Sequence, residues 1–186
     1  MRERALGAGQ RGAEGSHGLD VVTRYRCVAA RRGFVTDAAQ WRALERVFAE
    51  LKDTAEERQS LDVEGRRIAY RKRAGGLVWF DFTVLCGGPR SYTDYVDLAM
   101  RFHTVMLSGV PRLGPQQADA ARRFTWLIDV LYDERVKLVC SAASAPGEIF
   151  TAGGDAHRAA AEFARTVSRL TEMQSTHYLQ SERPLR

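Results

Sequence analysis

The chain has 186 residues, 45% of them hydrophobic and 27% charged, the size and balance of one soluble globular domain with a substantial core. No apolar run approaches the ~18 residues of a membrane span, and the start, Met1-Arg-Glu-Arg-Ala-Leu-Gly-Ala-Gly-Gln, lacks the apolar stretch of a secretory signal, so the expected compartment is the cytoplasm. The net charge of +5 does not indicate nucleic acid: residues 1–35 hold seven arginines against Glu3, Glu14 and Asp20, leaving 21 bases and 20 acids in residues 36–186, a balanced fold behind a basic leader.

In chain order, residues 1–35 form an Arg/Gly-rich leader without periodicity, expected to be disordered, with a short apolar patch from Leu19 to Val28 that has the makings of a stray strand. Thr36 is a suitable N-cap, and Trp41, Leu44, Val47, Phe48 and Leu51 recur at helical spacing, predicting a helix that ends near Glu57. Leu61-Asp-Val, Glu64-Gly65 and Arg66-Arg-Ile-Ala-Tyr-Arg-Lys read as a hairpin, and Ala74-Gly75-Gly76 turns the chain into Leu77-Val-Trp-Phe-Asp-Phe. The expectation is a small antiparallel meander closed by Gly87-Gly88-Pro89.

From Ser91 the pattern alternates between helix and strand. Ser91 with Asp94 is a capping-box-like start for a helix over Tyr92–Phe102. His103-Thr-Val-Met-Leu-Ser is a short strand, and Ala120, Phe124, Leu127, Ile128 and Leu131 mark the stripe of a helix opened by Gly114-Pro115. Val136-Lys-Leu-Val-Cys-Ser is a second strand, so the unit is βαβ and its two strands are expected to be parallel. Phe163, Val167, Leu170 and Met173 mark a long last helix to about Gln174, before a tail at 181–186. The division is therefore leader 1–35, folded region 36–180 and tail.

Little of this carries chemistry by itself. A phosphate cradle of the form G-x-x-x-x-G-K-[ST] converges backbone N–H groups and a lysine on a phosphate; here only Lys52, Lys72 and Lys137 are present, and none follows a glycine. Cys27, Cys86 and Cys140 are odd in number and widely spaced, indicating neither a disulfide framework nor a zinc site, and Cys140 reads as a buried thiol. Trp126, Asp129 and Asp133 share one side of their helix with Arg122. That side reads either as an ordinary charged outer face or as a partner-docking surface, with a weaker reading as a magnesium-dependent hydrolase using the two aspartates. Arg165 and Arg169 share the polar face of the last helix with Glu172, either as phosphate-facing forks or as local ion pairs such as Arg169 with Glu172. His103 reads as a strand-end histidine bonded to backbone.

Three segments go further together. Arg101-Phe-His-Thr-Val-Met-Leu-Ser-Gly-Val-Pro111, the block from Ala121-Arg-Arg-Phe-Thr-Trp to Val-Cys-Ser-Ala142, and Arg165-Thr-Val-Ser-Arg-Leu-Thr-Glu-Met-Gln-Ser-Thr-His-Tyr-Leu179 stand in an order and spacing similar to those of the ZapE-type, AFG-one-like ATPases, with support from Phe82-Thr-Val-Leu-Cys86 and from Ser91 to Tyr95. The resemblance runs from about Trp41 to Leu179. It implies an α/β fold, the carboxy-terminal portion of a P-loop (AAA+-like) ATPase, here with a β-meander, a βαβ unit and a long closing helix. It implies ATP and Mg as the family's ligands. It implies a tubulin-like division-ring partner in bacteria, at the inner face of the membrane, and protein quality control in mitochondria.

The family's Walker A, Walker B and sensor segments lie upstream of everything matched. The expectation is a truncated relative that does not hydrolyse ATP alone, with Arg122, Arg123, Arg165 and Arg169 as candidates to serve a nucleotide held elsewhere. Val136 to Ala143 resembles the family's sensor-one segment with Ala143 where an asparagine would sit. The rival reading is a stand-alone interaction module docking through the Trp126 face. Marginal stability or self-association is expected if the edge of a two-strand parallel sheet is left open.

Overall fold

The computed structural model describes residues 27–29, 38–52, 60–151 and 156–182. The leader apart from residues 27–29, the Thr36 cap, the helix end near Glu57, Gly153-Gly154 and the last four residues lie outside the described residues.

The strands are β1 (Cys27–Ala29), β2 (Ser60–Val63), β3 (Arg66–Ala69), β4 (Lys72–Ala74), β5 (Leu77–Asp81), β6 (Thr104–Val110) and β7 (Lys137–Ala142). One sheet has the order β1-β7-β6-β5-β4, with β4 antiparallel to β5 and every other pair parallel; β2 and β3 pair only with each other. The expected meander is therefore split: its hairpin stands apart, and its last strand joins the βαβ unit. Nor are β6 and β7 a bare two-strand sheet, because β5 and β1 flank them and remove the open edge on which self-association was expected. Cys27–Ala29, placed by its sequence in the leader, is one edge strand of the sheet, with β4 at the other edge.

The helices are α1 (Ala38–Leu51), α2 (Tyr92–Arg101), α3 (Ala118–Asp133), α4 (Ala156–Glu172) and α5 (Thr176–Gln180). Alternation along each strand sorts the helices between two faces. Leu77, Trp79, Met106 and Val139 point toward Leu44, Val47 and Phe48 of α1 and toward Leu179. Val78, Phe80, Val105, Leu107, Leu138 and Cys140 point toward a core built with Tyr95, Leu98, Phe124, Leu127, Ile128, Leu131, Leu170 and Met173. Strands buried on both sides read as continuous apolar runs, which is why Leu77-Val-Trp-Phe shows no alternation. The crossovers β5-α2-β6 and β6-α3-β7 step the same way through the sheet, so one hand of connection puts both helices on one face.

Local chemistry sets the ends. Ser91 and Asp94 form the expected capping box on α2. Asp94 is fully buried and also accepts from Arg66 of β3 at 2.6 Å, tying the separate hairpin to α2. At Gly76 a Cβ would lie 2.3 Å from Cδ2 of the exposed His103 ring, whose Nδ1 sits 2.9 Å from the Thr104 hydroxyl, so a larger residue there has to move that ring aside. At Gly109, φ is +75° and the β6–β7 register shifts, a bulge that suits a residue without a side chain.

Candidate functional site

Two polar constellations stand out, one between the outer helices and one at the carboxyl ends of the parallel strands. The first lies where α4 crosses α3. Asp129 is 13% exposed, and its two carboxylate oxygens accept from Arg165 at 2.8 Å and from Arg169 at 2.7 Å. Arg169 also reaches Asp133 at 3.2 Å and lies 4.8 Å from the centre of the Tyr132 ring. The expected Arg169–Glu172 pair is not what forms. Glu172 instead accepts from the Tyr132 hydroxyl at 2.6 Å, and that bond holds the phenol's proton and raises its pKa. Behind the charges, Thr166 donates to Thr125 in the buried seam.

The same crossing decides the other predicted residues. Trp126 is half-buried and packs against the large core, since α4 covers the side of α3 that the sequence presents as outer. Arg123 points back along its own helix toward the Asp119 carbonyl and reaches that of Cys86. Arg122 is exposed and makes no ion pair among the described residues. A magnesium site on Asp129 and Asp133 has to displace two guanidinium groups, and among the described residues no group of three or more His, Cys, Asp or Glu is placed to hold a metal ion.

The chain then closes on this region. Ser175 caps α5 by accepting from the Tyr178 N–H. The buried Tyr178 hydroxyl donates into the carbonyls of Leu131, at 3.0 Å, and Val136, at 3.2 Å. Its ring stacks on Tyr132 with centroids 5.5 Å apart, and the Arg135 guanidinium lies over both rings. Lys137 donates to the carbonyls of Tyr178 and Ser181, each at 2.8 Å. Desolvation, helped by Arg135 nearby, lowers the Lys137 amine from its ordinary value to about 8. Burial pushes the Tyr178 phenol up. These groups fasten the end of the chain to the α3–β7 turn.

At the carboxyl ends of the strands, where open α/β sheets place their ligands, Asp81, Ser108 and Ser141 stand on the α1 side of β5, β6 and β7. Asp81 is paired in register with Ser108. The Ser108 hydroxyl lies 2.6 Å from the Asp81 carboxylate and accepts from the Trp79 indole N–H at 3.1 Å. Asp81 also accepts from Arg71 at 2.5 Å, and Arg71 lies over the Trp41 ring. The Gly109 N–H donates to Ser141, and Gln40 of α1 donates to the Ala142 carbonyl. These groups bond to one another along the carboxyl ends of the strands. None of Asp81, Ser108, Ser141 or Lys137 is a candidate from the sequence. The signal available for the first three is a polar residue interrupting each apolar strand near its carboxyl end.

A family profile of AFG1-like ATPases matches residues 19–182, nearly the whole chain. The chain belongs to the AFG1-like ATPase family. Among its relatives, the cell division protein ZapE of Escherichia coli K12 is 42% identical over 123 residues, covering 66% of this chain and 32% of that protein. The uncharacterized protein C115.02c of Schizosaccharomyces pombe is 34% identical over 158 residues, covering 72% and 35%. Lactation elevated protein 1 homolog B of Danio rerio is 30% identical over 199 residues, covering 87% and 38%. This AFG1-like chain thus spans about a third of the length of the curated relatives it matches. No solved structure matches it. Among the described residues no helix is long and apolar enough to cross a membrane.

Proposed function

We propose that this chain is the carboxy-terminal, non-phosphate-binding α/β portion of an AFG1-like ATPase with a role in cell division, and that ATP and Mg are held by residues beyond these 186. The observation that carries this reading is the coincidence of a family match over residues 19–182 with a sequence that has no lysine after glycine anywhere. The α3–α4 crossing supports it: Arg165 and Arg169 are spent on Asp129 and Asp133, and a guanidinium so paired gives little to a transition state. Arg122 is the candidate arginine that faces outward to serve a neighbouring nucleotide. The relative named as a cell division protein supports the division role; the cytoplasmic setting at the division site and a tubulin-like division-ring protein as partner belong to the same proposal, on the resemblance of the motifs.

The test is ATP binding by calorimetry and phosphate release by the purified chain. No heat of binding at micromolar ATP and no release above the buffer rate are expected; micromolar affinity with turnover overturns the proposal. Cosedimentation with the polymerised tubulin-like protein examines the partner separately, and a chain left wholly in the supernatant removes it.

A further inference from the structure

Lys52, Lys72 and Lys137 are the only lysines among the 28 basic residues of the chain, and the fold gives each a different setting. Lys52 is exposed just past α1, and Lys72 is ion-paired with Glu45. Lys137, at the start of β7, is half-buried and makes no ion pair among the described residues. Its surroundings suit an uncharged amine. The carbonyls of Tyr178 and Ser181 take two N–H bonds at 2.8 Å each. The next acceptor, the Ser181 hydroxyl, lies 3.5 Å away and itself donates to the Tyr178 carbonyl at 2.5 Å. At that distance it holds a third proton weakly. Around the amine, Arg135 adds a second positive charge and the Tyr178 ring stands 5.0 Å away, while His103 turns its ring to Gly76. An ammonium there has one proton poorly held, no counter-charge and a cation for neighbour; with desolvation foremost, its pKa falls to about 8. Two N–H groups remain for the two carbonyls, and the freed lone pair is a nucleophile near neutral pH.

We propose that Lys137 is an acyl-acceptor site: small acyl phosphates acylate its amine, and the resulting amide releases the closing helix α5 from the α3–β7 turn. The nitrogen lone pair attacks the acyl carbon, a C–N bond forms, and the C–O bond to phosphate breaks. Phosphate leaves with the electron pair, and the nitrogen gives its extra proton to water; nothing is oxidised or reduced. The product carries no charge and a single N–H, so it cannot serve both carbonyls, and the added acyl group needs room beside Tyr178. Helix α5 has five residues, fastened otherwise by the Ser175 cap, the Tyr178 hydroxyl and the burial of Tyr178 and Leu179. Losing the Lys137 bonds therefore opens this short element without unfolding the sheet.

The whole chain is treated with acetyl phosphate and digested, and the acetylation of each lysine is read by mass spectrometry. Near neutral pH, Lys137 is expected to react about tenfold ahead of Lys52 and Lys72, and its rate is expected to level off above about pH 8. In concentrated urea the three should react alike. In the acetylated protein the amides of Leu179 and Ser181, which bond to Ser175 and Tyr178, should exchange about tenfold faster, while those of α2 keep their rate. K137R retains charge and donors without an amine to acylate, so acetyl phosphate should leave its α5 exchange at the wild-type rate. K137Q, uncharged, should speed α5 exchange without the reagent. Lys52 or Lys72 reacting as fast as Lys137 in the folded chain, or a preference for Lys137 that persists in urea, overturns the site. Full acetylation of Lys137 with unchanged α5 exchange, or a K137R chain whose α5 still loosens on treatment, overturns the release.

Discussion

On one side of the sheet α1, joined among the described residues by Leu179, covers Leu77, Trp79, Met106 and Val139, whereas α2, α3, α4 and the β2–β3 hairpin share the other side. The narrow face relies on ring area. Trp79 is fully buried, with Trp41 at 4.7 Å and Phe48 at 6.3 Å between ring centres. The wide face has more pieces to align, and it aligns them with directional polar contacts: Asp94 to Arg66, Asp129 to two arginines, and Tyr178 to the α3–β7 turn. Apolar burial is non-directional, so a face covered by one helix can depend on it, while a face shared by several elements needs bonds that specify angle and depth.

The largest break expected is at the narrow face. Trp79→Ala should cost about 3–5 kcal/mol in urea unfolding; a loss below ~1 kcal/mol would show that α1 is held by something other than the aromatic stack. Next comes Asp94→Ala, which removes the α2 cap and leaves Arg66 without its carboxylate; about 2–3 kcal/mol should be lost. The loss should be accompanied by earlier hydrogen exchange in the hairpin, and unaltered exchange there would refute the tie. Tyr178→Phe keeps the ring stack but removes the buried donor that the carbonyls of Leu131 and Val136 share, for which about 1–2 kcal/mol is expected. If it unfolds at the wild-type midpoint, the closing helix is held by apolar contact alone.

Smaller still is the pH effect at Lys137. Its folded pKa of about 8 lies below the ordinary 10.5, so above pH 8 the unfolded chain binds more protons there than the folded one, and stability rises with pH. The gain shows between about pH 8 and 9, before burial of Cys86, Tyr95 and Tyr178, which raises their pKa values, turns the slope the other way. Relative to Lys137→Met, the wild-type melting midpoint should climb slightly across that window; parallel curves would mean the amine is solvated. The smallest change belongs to Arg165→Ala. Its side chain is 57% exposed, and the cost should stay within ~0.5 kcal/mol.

Much of the secondary structure is legible in the sequence because its signals are local. The α2 capping box, the α3 stripe and the β6-α3-β7 unit all follow from spacing within a few turns. The β2–β3 and β4–β5 antiparallel pairs of the expected meander both form, but the run from Arg66 to Lys72 breaks between β3 and β4, and the parallel pairing of β5 with β6 is a long-range choice that no local spacing marks. The Trp126 side of α3 reads as outer because helical periodicity reports polarity. Asp129 is polar yet covered, its charge answered by arginines of a helix more than thirty residues away. The carboxyl-end row escapes for a related reason, since single polar residues in three separate strands become a row only once the strands are ordered.

Contiguous stretches of chain suffice for two conclusions: the family, through ordered motifs that survive without a structure, and the absence of a G-x-x-x-x-G-K-[ST] stretch from these residues, since that motif is itself contiguous. Other conclusions needed the packed molecule. Arg165 and Arg169 are paired, the apolar scrap at residues 27–29 is a strand of the main sheet, and Lys137 is fastened to the carbonyls of Tyr178 and Ser181. Each of these depends on which elements become neighbours, and neighbourhood is set by the summed burial of whole faces, which no local spacing encodes.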